Sequence, residues 1–343
     1  MKAAVLREFG TPTFEDFPEP QPQPGYEVLD VLAASLNAVD RAIAAGAHYL
    51  SPKELPVISG IEGVGRRATG ERVYFGRPET PYGSMAERTL VNEHYMMAIP
   101  DDLDDAIAAT IGNAGWAAWL PLSWRAALAP GESVLILGAT GVVGRLAVQA
   151  AKLLGAGHVV AAGRDPEALE AVRALGADAT VRLDDGDPTD AFLAAGGPYD
   201  IIVDYTWGAP AGAALRAGAN GVRLVHVGER AGAELNVSGQ VIRSKGASIF
   251  GFMPIHAAPA IVGAAYLEMA AQVLAGRLIV DVERVPLSAV GEAWHRQSRR
   301  KIVLTPCGLP HDASALGLAH WSSRCVTTRR RQEGSPSGRW RRS

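Results

Sequence analysis

Ser133-Val134-Leu135-Ile136-Leu137-Gly138-Ala139-Thr140-Gly141-Val142-Val143-Gly144-Arg145-Leu146 decides the fold of this chain. Val134 to Leu137 is a short apolar run, which with Ser133 reads as a strand buried on both faces. Val143, Leu146, Ala147, Ala150 and Leu154 then recur at helical spacing, and Gly155 follows in a C-cap position. Between strand and helix stand three glycines. A turn that cradles a pyrophosphate needs glycine for a tight bend, for close backbone approach to the phosphates, and for close packing of helix on strand. Gly138, Gly141 and Gly144 are placed for these tasks. The helix opening at Val142 aims its unpaired N–H groups and positive dipole end at the same point. We therefore expect Gly138, Thr140, Gly141, Val142, Val143 and Gly144 to bind a dinucleotide.

The pattern continues downstream. His158 to Ala162 reads as the next strand and Pro166 to Leu175 as the next helix. Strand and helix then alternate at 178–183, 190–195, 200–204, 209–217, 222–227 and 247–251, which implies a parallel sheet with helices on both faces. Upstream, 27–32, 71–75 and 86–91 read as strands among Gly/Pro turns, interrupted by helices near 37–45 and 104–112. Past 256, a helix over 257–276, a strand at 280–285, a helix at 288–298 and a strand at 302–305 are expected to rejoin the N-terminal β structure.

The end of the second parallel strand bears on cofactor choice. A site for NAD usually places Asp or Glu there for the ribose 2′-hydroxyl. Here the strand closes Ala161-Ala162-Gly163-Arg164-Asp165. Gly163 takes the acidic position and Arg164 can face a 2′-phosphate, so NADP(H) is the expected cofactor. Asp165 is read as the N-cap of the following helix.

The remaining composition sets bounds. The chain has 343 residues, 48% of them apolar, with a formal net charge of -3. That is enough for about two domains, and nothing in the balance asks for nucleic acid or an anionic membrane. No apolar run reaches the roughly 18 residues of a membrane span, and the first residues are charged too early for a signal peptide, so a cytoplasmic protein is expected. The two cysteines, Cys307 and Cys325, offer neither a disulfide framework nor a Cys-rich zinc site. From about 309 the chain is polar, with seven arginines between Arg324 and Arg342. It is expected to be a disordered basic tail, either accessory or an arm for nucleic acid.

Several short stretches in fixed order resemble the medium-chain dehydrogenase/reductase superfamily, and within it the zinc-free quinone oxidoreductase (zeta-crystallin-like) group. They are Met1-Lys2-Ala3-Ala4-Val5, Leu36-Asn37-Ala38-Val39-Asp40, Gly60-Ile61-Glu62-Gly63-Val64-Gly65, Gly70-Glu71-Arg72-Val73, Gly83-Ser84-Met85-Ala86-Glu87 and Lys301-Ile302-Val303-Leu304-Thr305-Pro306. The resemblance runs from Met1 to Pro306. It implies an α/β fold: a Rossmann NADP(H)-binding domain at 121–255, a GroES-like substrate domain from 1–120 and 256–308, and the tail at 309–343. Zinc-dependent members bind metal through Cys, His and Cys; the matching positions here carry Asn37, Ile61 and Asn113, so no metal is expected. The resemblance points to Asn37, Tyr49 and His48 as catalytic candidates. It places the backbone of Val227-Gly228 and Gly251-Phe252 beside the nicotinamide, Lys301 near the pyrophosphate, and Asp204 to Trp207 beside the adenosine half. Asp40 and Glu62 are expected to be buried and structural, and His226 a packed strand residue.

These readings converge on an NADPH-dependent reductase of a quinone or α,β-unsaturated carbonyl, expected to act as a homodimer paired through the 247–251 strand. Two alternatives stay open. One is a biosynthetic enoyl or imine reductase of the same fold. The other is a cofactor-sensing or nucleic-acid-binding protein with vestigial catalysis.

Overall fold

The computed structural model describes residues 1–306. The tail expected at 309–343 lies outside the described residues. Six strands form one parallel sheet in the spatial order Ala179–Arg182, His158–Gly163, Ser133–Leu137, Tyr199–Asp204, Gly218–His226, Ser248–Gly251. Chain order runs outward in one direction from Ser133–Leu137 and then resumes on its other side. This is a doubly wound sheet, and its crevice lies where the order reverses, at the C-terminal ends of Ser133–Leu137 and Tyr199–Asp204.

The central strand shows why the apolar run is needed. Val134 and Ile136 face one core with Ala147, Val148 and Ala151 of the helix Val142–Leu153. Leu135 and Leu137 face the opposite core with Phe192, Leu215 and Leu224. Alternate side chains of a strand point to opposite faces, so both must be apolar when helices cover both.

The second body is β-rich. Its larger sheet runs Val282–Pro286, Lys301–Thr305, Tyr26–Ser35, Glu62–Arg66, Arg72–Gly76, Met96–Ala98, with Arg88–Asn92 also paired to Tyr26–Ser35. A smaller sheet joins Thr13–Asp16, Lys2–Leu6 and Val57–Ile58. Val303 pairs with Ser35 and Leu304 with Ala34, so the last described strand joins the sheet built by the first hundred residues. Two ties connect the bodies at one place. Gln149 Nε2 donates to the Ile279 carbonyl at 3.0 Å, and Ile279 N–H donates back to Gln149 Oε1 at 2.8 Å.

Three helices depart from the sequence expectation by more than their end residues. The helix expected at 288–298 is a 3-10 turn, Leu287–Ala289, followed by the short helix Val290–His295. It stops early because Arg296 turns extended and Ser298 Oγ donates to Glu283 at 2.8 Å. Helix Asn113–Leu120 was not expected: its side chains are apolar on nearly every face, so it carries no period to read. Helix Gly239–Lys245 was not expected either. It is seven residues long, capped by Ser238 and ended by Gly246 in the left-handed conformation.

Candidate active site

The glycine turn sits at the crevice. Gly138 has φ +79°, a conformation that glycine adopts without penalty. A Cβ on Gly144 would lie 2.3 Å from the Gly138 carbonyl and 2.6 Å from Ala139 Cα, so only glycine lets the helix begin this close to the strand. Gly141 is the N-cap and offers no side-chain acceptor. The first-turn N–H groups of Val142–Leu153 are thus left without a side-chain cap, as a phosphate cradle requires. The residues fit a dinucleotide pyrophosphate.

At the end of the second strand a Cβ on Gly163 would stand 2.6 Å from Thr140 Cγ2. The position where an acidic residue is usual is filled by the glycine turn itself. Asp165 is engaged twice. Its Oδ1 accepts from Ala168 N–H at 3.2 Å, capping helix Pro166–Arg173. Its Oδ2 accepts from Arg299 Nη2 at 2.5 Å. The N–H of Ala168, together with Arg299, holds the Asp165 carboxyl below the usual range. Arg164 is exposed beside it.

A buried polar cluster lies where strand Tyr26–Ser35 hands over to helix Ala38–Ala44. Asn37 is that helix's N-cap and is 4% exposed. Its Oδ1 accepts from Lys301 Nζ at 2.5 Å and its Nδ2 donates to Glu62 Oε1 at 2.9 Å. A cation on one side and a carboxylate on the other fix the orientation of the amide. Glu62 Oε2 accepts from the Tyr74 hydroxyl at 2.5 Å and from Asn113 N–H at 2.7 Å. Asp40 accepts from Asn37 N–H at 2.7 Å and Ile61 N–H at 3.2 Å. Two carboxyls and one ammonium are therefore enclosed together. Burial pushes Asp40 up to about 7 against the pull of the Asn37 N–H and Lys301. Burial also raises Glu62 and lowers Lys301, each opposed by the other's charge. Asp40 and Glu62 are buried and paired, as expected. Lys301 is 5% exposed, and its ammonium donates to Asn37 Oδ1. Tyr74 and the Asn113 amide were missed by sequence reading, because Tyr74 reaches Glu62 through the pairing of two strands and Asn113 through the docking of a helix start, neither of which a local pattern shows.

The late strands end at the same crevice. Val227 N–H and Gly228 N–H both donate to the Asp204 carbonyl, at 2.8 and 3.3 Å, and Phe252 N–H donates to the His226 carbonyl at 3.0 Å. Asp204 is fully buried, and its Oδ1 accepts from Thr206 N–H, Thr206 Oγ1 and Trp207 N–H. Trp207 is held at φ 57° with its ring 4.1 Å from that of His226. Across the crevice, Tyr49 donates to Met253 Sδ at 3.0 Å and its ring lies 4.1 Å from His48. The loop carrying Tyr49 and His48 thus meets the segment following Gly251 and Phe252. Asn37 is in a different place, inside the polar cluster.

A doubly wound sheet with a glycine turn at its switch point, joined to a β-rich body, has the architecture of a dinucleotide-binding protein. A family model described as zinc-binding dehydrogenase matches residues 142–269. Human quinone oxidoreductase is 30% identical over 252 residues, which span 69% of this chain and 75% of that protein. The quinone oxidoreductase of Lama guanicoe is 34% identical over 166 residues, 44% of this chain and about half (49%) of that relative's length. Among solved structures, the quinone oxidoreductase of Thermus thermophilus, determined also in complex with NADPH, superimposes with a TM-score of 0.73 at 29% identity, covering 89% of this chain and 100% of that one. The chain belongs to the medium-chain dehydrogenase/reductase superfamily, in its quinone-oxidoreductase-like group.

The zinc in the family model's description can be tested against the donors. Asn37 has its amide engaged on both sides, Ile61 has no ligating atom, and Asn113 supplies an N–H to Glu62. Zinc takes thiolate, imidazole or carboxylate ligands. Among the described residues no group of three or more His, Cys, Asp or Glu side chains is arranged to hold a metal. This donor set does not fit zinc.

Proposed function

We propose that this protein is a zinc-independent, NADPH-dependent reductase that acts on quinones or α,β-unsaturated carbonyls in the crevice between its two bodies. The observation that carries the cofactor reading is the end of strand His158–Gly163. Gly163 packs on Thr140, Asp165 is spent on a cap and an ion pair, and Arg164 is free to face a 2′-phosphate. The names of the human and Thermus relatives, and the latter's complex with NADPH, support the same reading. Bound NADPH would supply the hydride. The chain's part is to position the cofactor on the glycine turn, to flank the nicotinamide with the Val227-Gly228 and Gly251-Phe252 backbone, and to exclude water.

The donor set supports the proposed acceptor class. Alcohol oxidation builds up alkoxide charge that a metal stabilises, and Asn37, Ile61 and Asn113 do not provide a metal site. An enone or quinone oxygen needs only hydrogen-bond donors or water. Tyr49 and His48, on an exposed loop at the crevice, are the proposed donors, and Asn37, inside the buried polar cluster, caps the helix that precedes this loop. Substrate choice rests with loops near 46–56, 77–83 and 252–258.

The test is a titration of the purified protein with NADPH and NADH by nicotinamide fluorescence, for wild type and Arg164→Ala. A quinone and enone panel follows under the preferred cofactor. We expect an NADPH preference that Arg164→Ala lowers about tenfold, a single charged hydrogen bond to phosphate being of that order. Equal binding of NADH, or NADPH binding without reduction of any acceptor in the panel, would refute the cofactor and substrate parts respectively.

A further inference from the structure

We propose that Arg299 sets the cofactor preference by neutralising Asp165, so that selection of NADPH depends on a residue from the other body of the molecule. The inference rests on the NADPH reading above and adds a specificity residue to it. Asp165 stands two residues past Gly163, at the end of the strand where an acid facing the adenosine ribose selects the free 2′-hydroxyl and repels a 2′-phosphate. Left alone, this carboxylate would work against NADPH. It is not left alone. Oδ1 is taken by Ala168 N–H, and Oδ2 lies 2.5 Å from Arg299 Nη2, which is also 3.6 Å from Glu167 Oε2.

Arg299 is rooted in the loop between helix Val290–His295 and strand Lys301–Thr305, on the β-rich body. Its carbonyl accepts from Arg145 Nη1 at 3.3 Å, and the next residue, Arg300, donates its N–H to Ser298 Oγ at 3.1 Å. The backbone is thus tied on both sides of the guanidinium, although the side chain itself is about half exposed. With Arg164 and Arg299 set against Asp165 and Glu167, the strand end is neutral. Without Arg299 it carries one net negative charge facing a phosphate that bears nearly two.

An exposed ion pair contributes little to folding, so Arg299→Ala should fold normally; its effect belongs to the ligand. The experiment is a fluorescence titration of NADPH and NADH against wild type, Arg299→Ala, Arg299→Lys, Asp165→Asn and the double variant. Asn is as good an N-cap as Asp, so Asp165→Asn keeps the helix. Arg299→Ala should weaken NADPH roughly tenfold, the scale of one unscreened charge at close range, and leave NADH unchanged or tighter. Arg299→Lys should sit near wild type. Asp165→Asn added to Arg299→Ala should restore NADPH binding, because no charge is left to mask. NADPH affinity that Arg299→Ala does not change overturns the proposal. So does a double variant as weak as Arg299→Ala, which would mean that Arg299 grips the phosphate itself. A wild type with no NADPH preference overturns the reading beneath it, and is seen before any variant is compared.

Discussion

Gly144 and Asp40 show two ways in which one atom decides this site. A methyl group on Gly144 meets backbone, not a movable side chain: the Gly138 carbonyl at 2.3 Å and Ala139 Cα at 2.6 Å. Gly144→Ala must therefore shift the turn or the helix. We expect at least a tenfold loss of NADPH affinity in the fluorescence titration, with a stability cost of about 1–3 kcal/mol, as for other overpacked positions. An unchanged affinity would show that the helix start is not part of the cradle. Asp40 acts through its proton. Its folded pKa is about 7, against roughly 3.9 for an unfolded Asp. Between these values the folded chain holds a proton that the unfolded chain has lost, so this group's stabilising contribution is present at low pH and declines as pH rises from about 4 to about 7. Asp40→Asn cannot titrate. The stability advantage of wild type over Asp40→Asn in urea should shrink across that window and be flat above it; a constant difference would argue against a shared proton in the cluster. The three glycines were legible because a phosphate turn has a spacing. The cluster was legible only in part. Asn37, Asp40 and Glu62 fall in quotable motifs, but Tyr74 and the Lys301 ammonium converge through strand pairing, and the Asn113 amide through a docked helix start, that no local pattern encodes.

Elements in this protein are often finished by side chains from distant parts of the chain. Helix Asp105–Thr110 has six residues, and its last turn leaves carbonyls without a helical partner. Ser35 Oγ donates to the Ala109 carbonyl at 2.9 Å, and the Tyr266 hydroxyl donates to the Ala108 carbonyl at 2.9 Å. Tyr266 sits on helix Pro259–Leu274, fully buried, with its ring 5.3 Å from that of Tyr74 and 6.2 Å from that of Trp116. Tyr266→Phe keeps this packing and strands one buried carbonyl. The expected loss is about 1–3 kcal/mol, read as a lower urea midpoint with an unchanged slope; a midpoint equal to wild type would mean that Ala108 finds another donor. The strands and long helices were readable because each carries its own period. Helix Pro259–Leu274 was expected two residues longer at each end, since Ala257 and Gly276 continue an Ala-rich stretch, but Pro259 sets its start and Gly276, at φ +69°, lies past its end. Short helices such as Gly239–Lys245 have too few turns for a period to emerge.

At the scale of the whole molecule, the doubly wound sheet ends in two partly exposed edge strands, Ala179–Arg182 and Ser248–Gly251. Strands Ser133–Leu137, His158–Gly163 and Tyr199–Asp204 are buried almost throughout, whereas Ser248–Gly251 alternates, with Ile249 41% exposed. The Arg125 guanidinium stacks 4.7 Å from the Phe250 ring and its Nε donates to the Gly251 carbonyl at 3.1 Å, which covers one face of this strand. The outer row of N–H and C=O groups of an edge strand is a template for pairing with another chain unless something blocks it. No charged side chain lies within Ser248–Gly251, and Arg125 takes the Gly251 carbonyl at its end, which leaves the rest of the row open. A second copy of the same strand, antiparallel about a two-fold axis, would satisfy those groups and bury Ile249 on both sides, the self-complementary arrangement that a closed dimer needs. We therefore propose a homodimer through this edge. Light scattering on the eluted peak should give twice the chain mass for wild type and the single-chain mass for Ile249→Lys, with NADPH affinity held within about twofold because Ile249 is exposed and is not among the residues assigned to the cofactor. A wild type of single-chain mass, or a variant that stays dimeric, would move the interface elsewhere. A variant that dissociates and also loses NADPH would show that the second copy supports the Gly251-Phe252 backbone, and with it the nicotinamide end of the site.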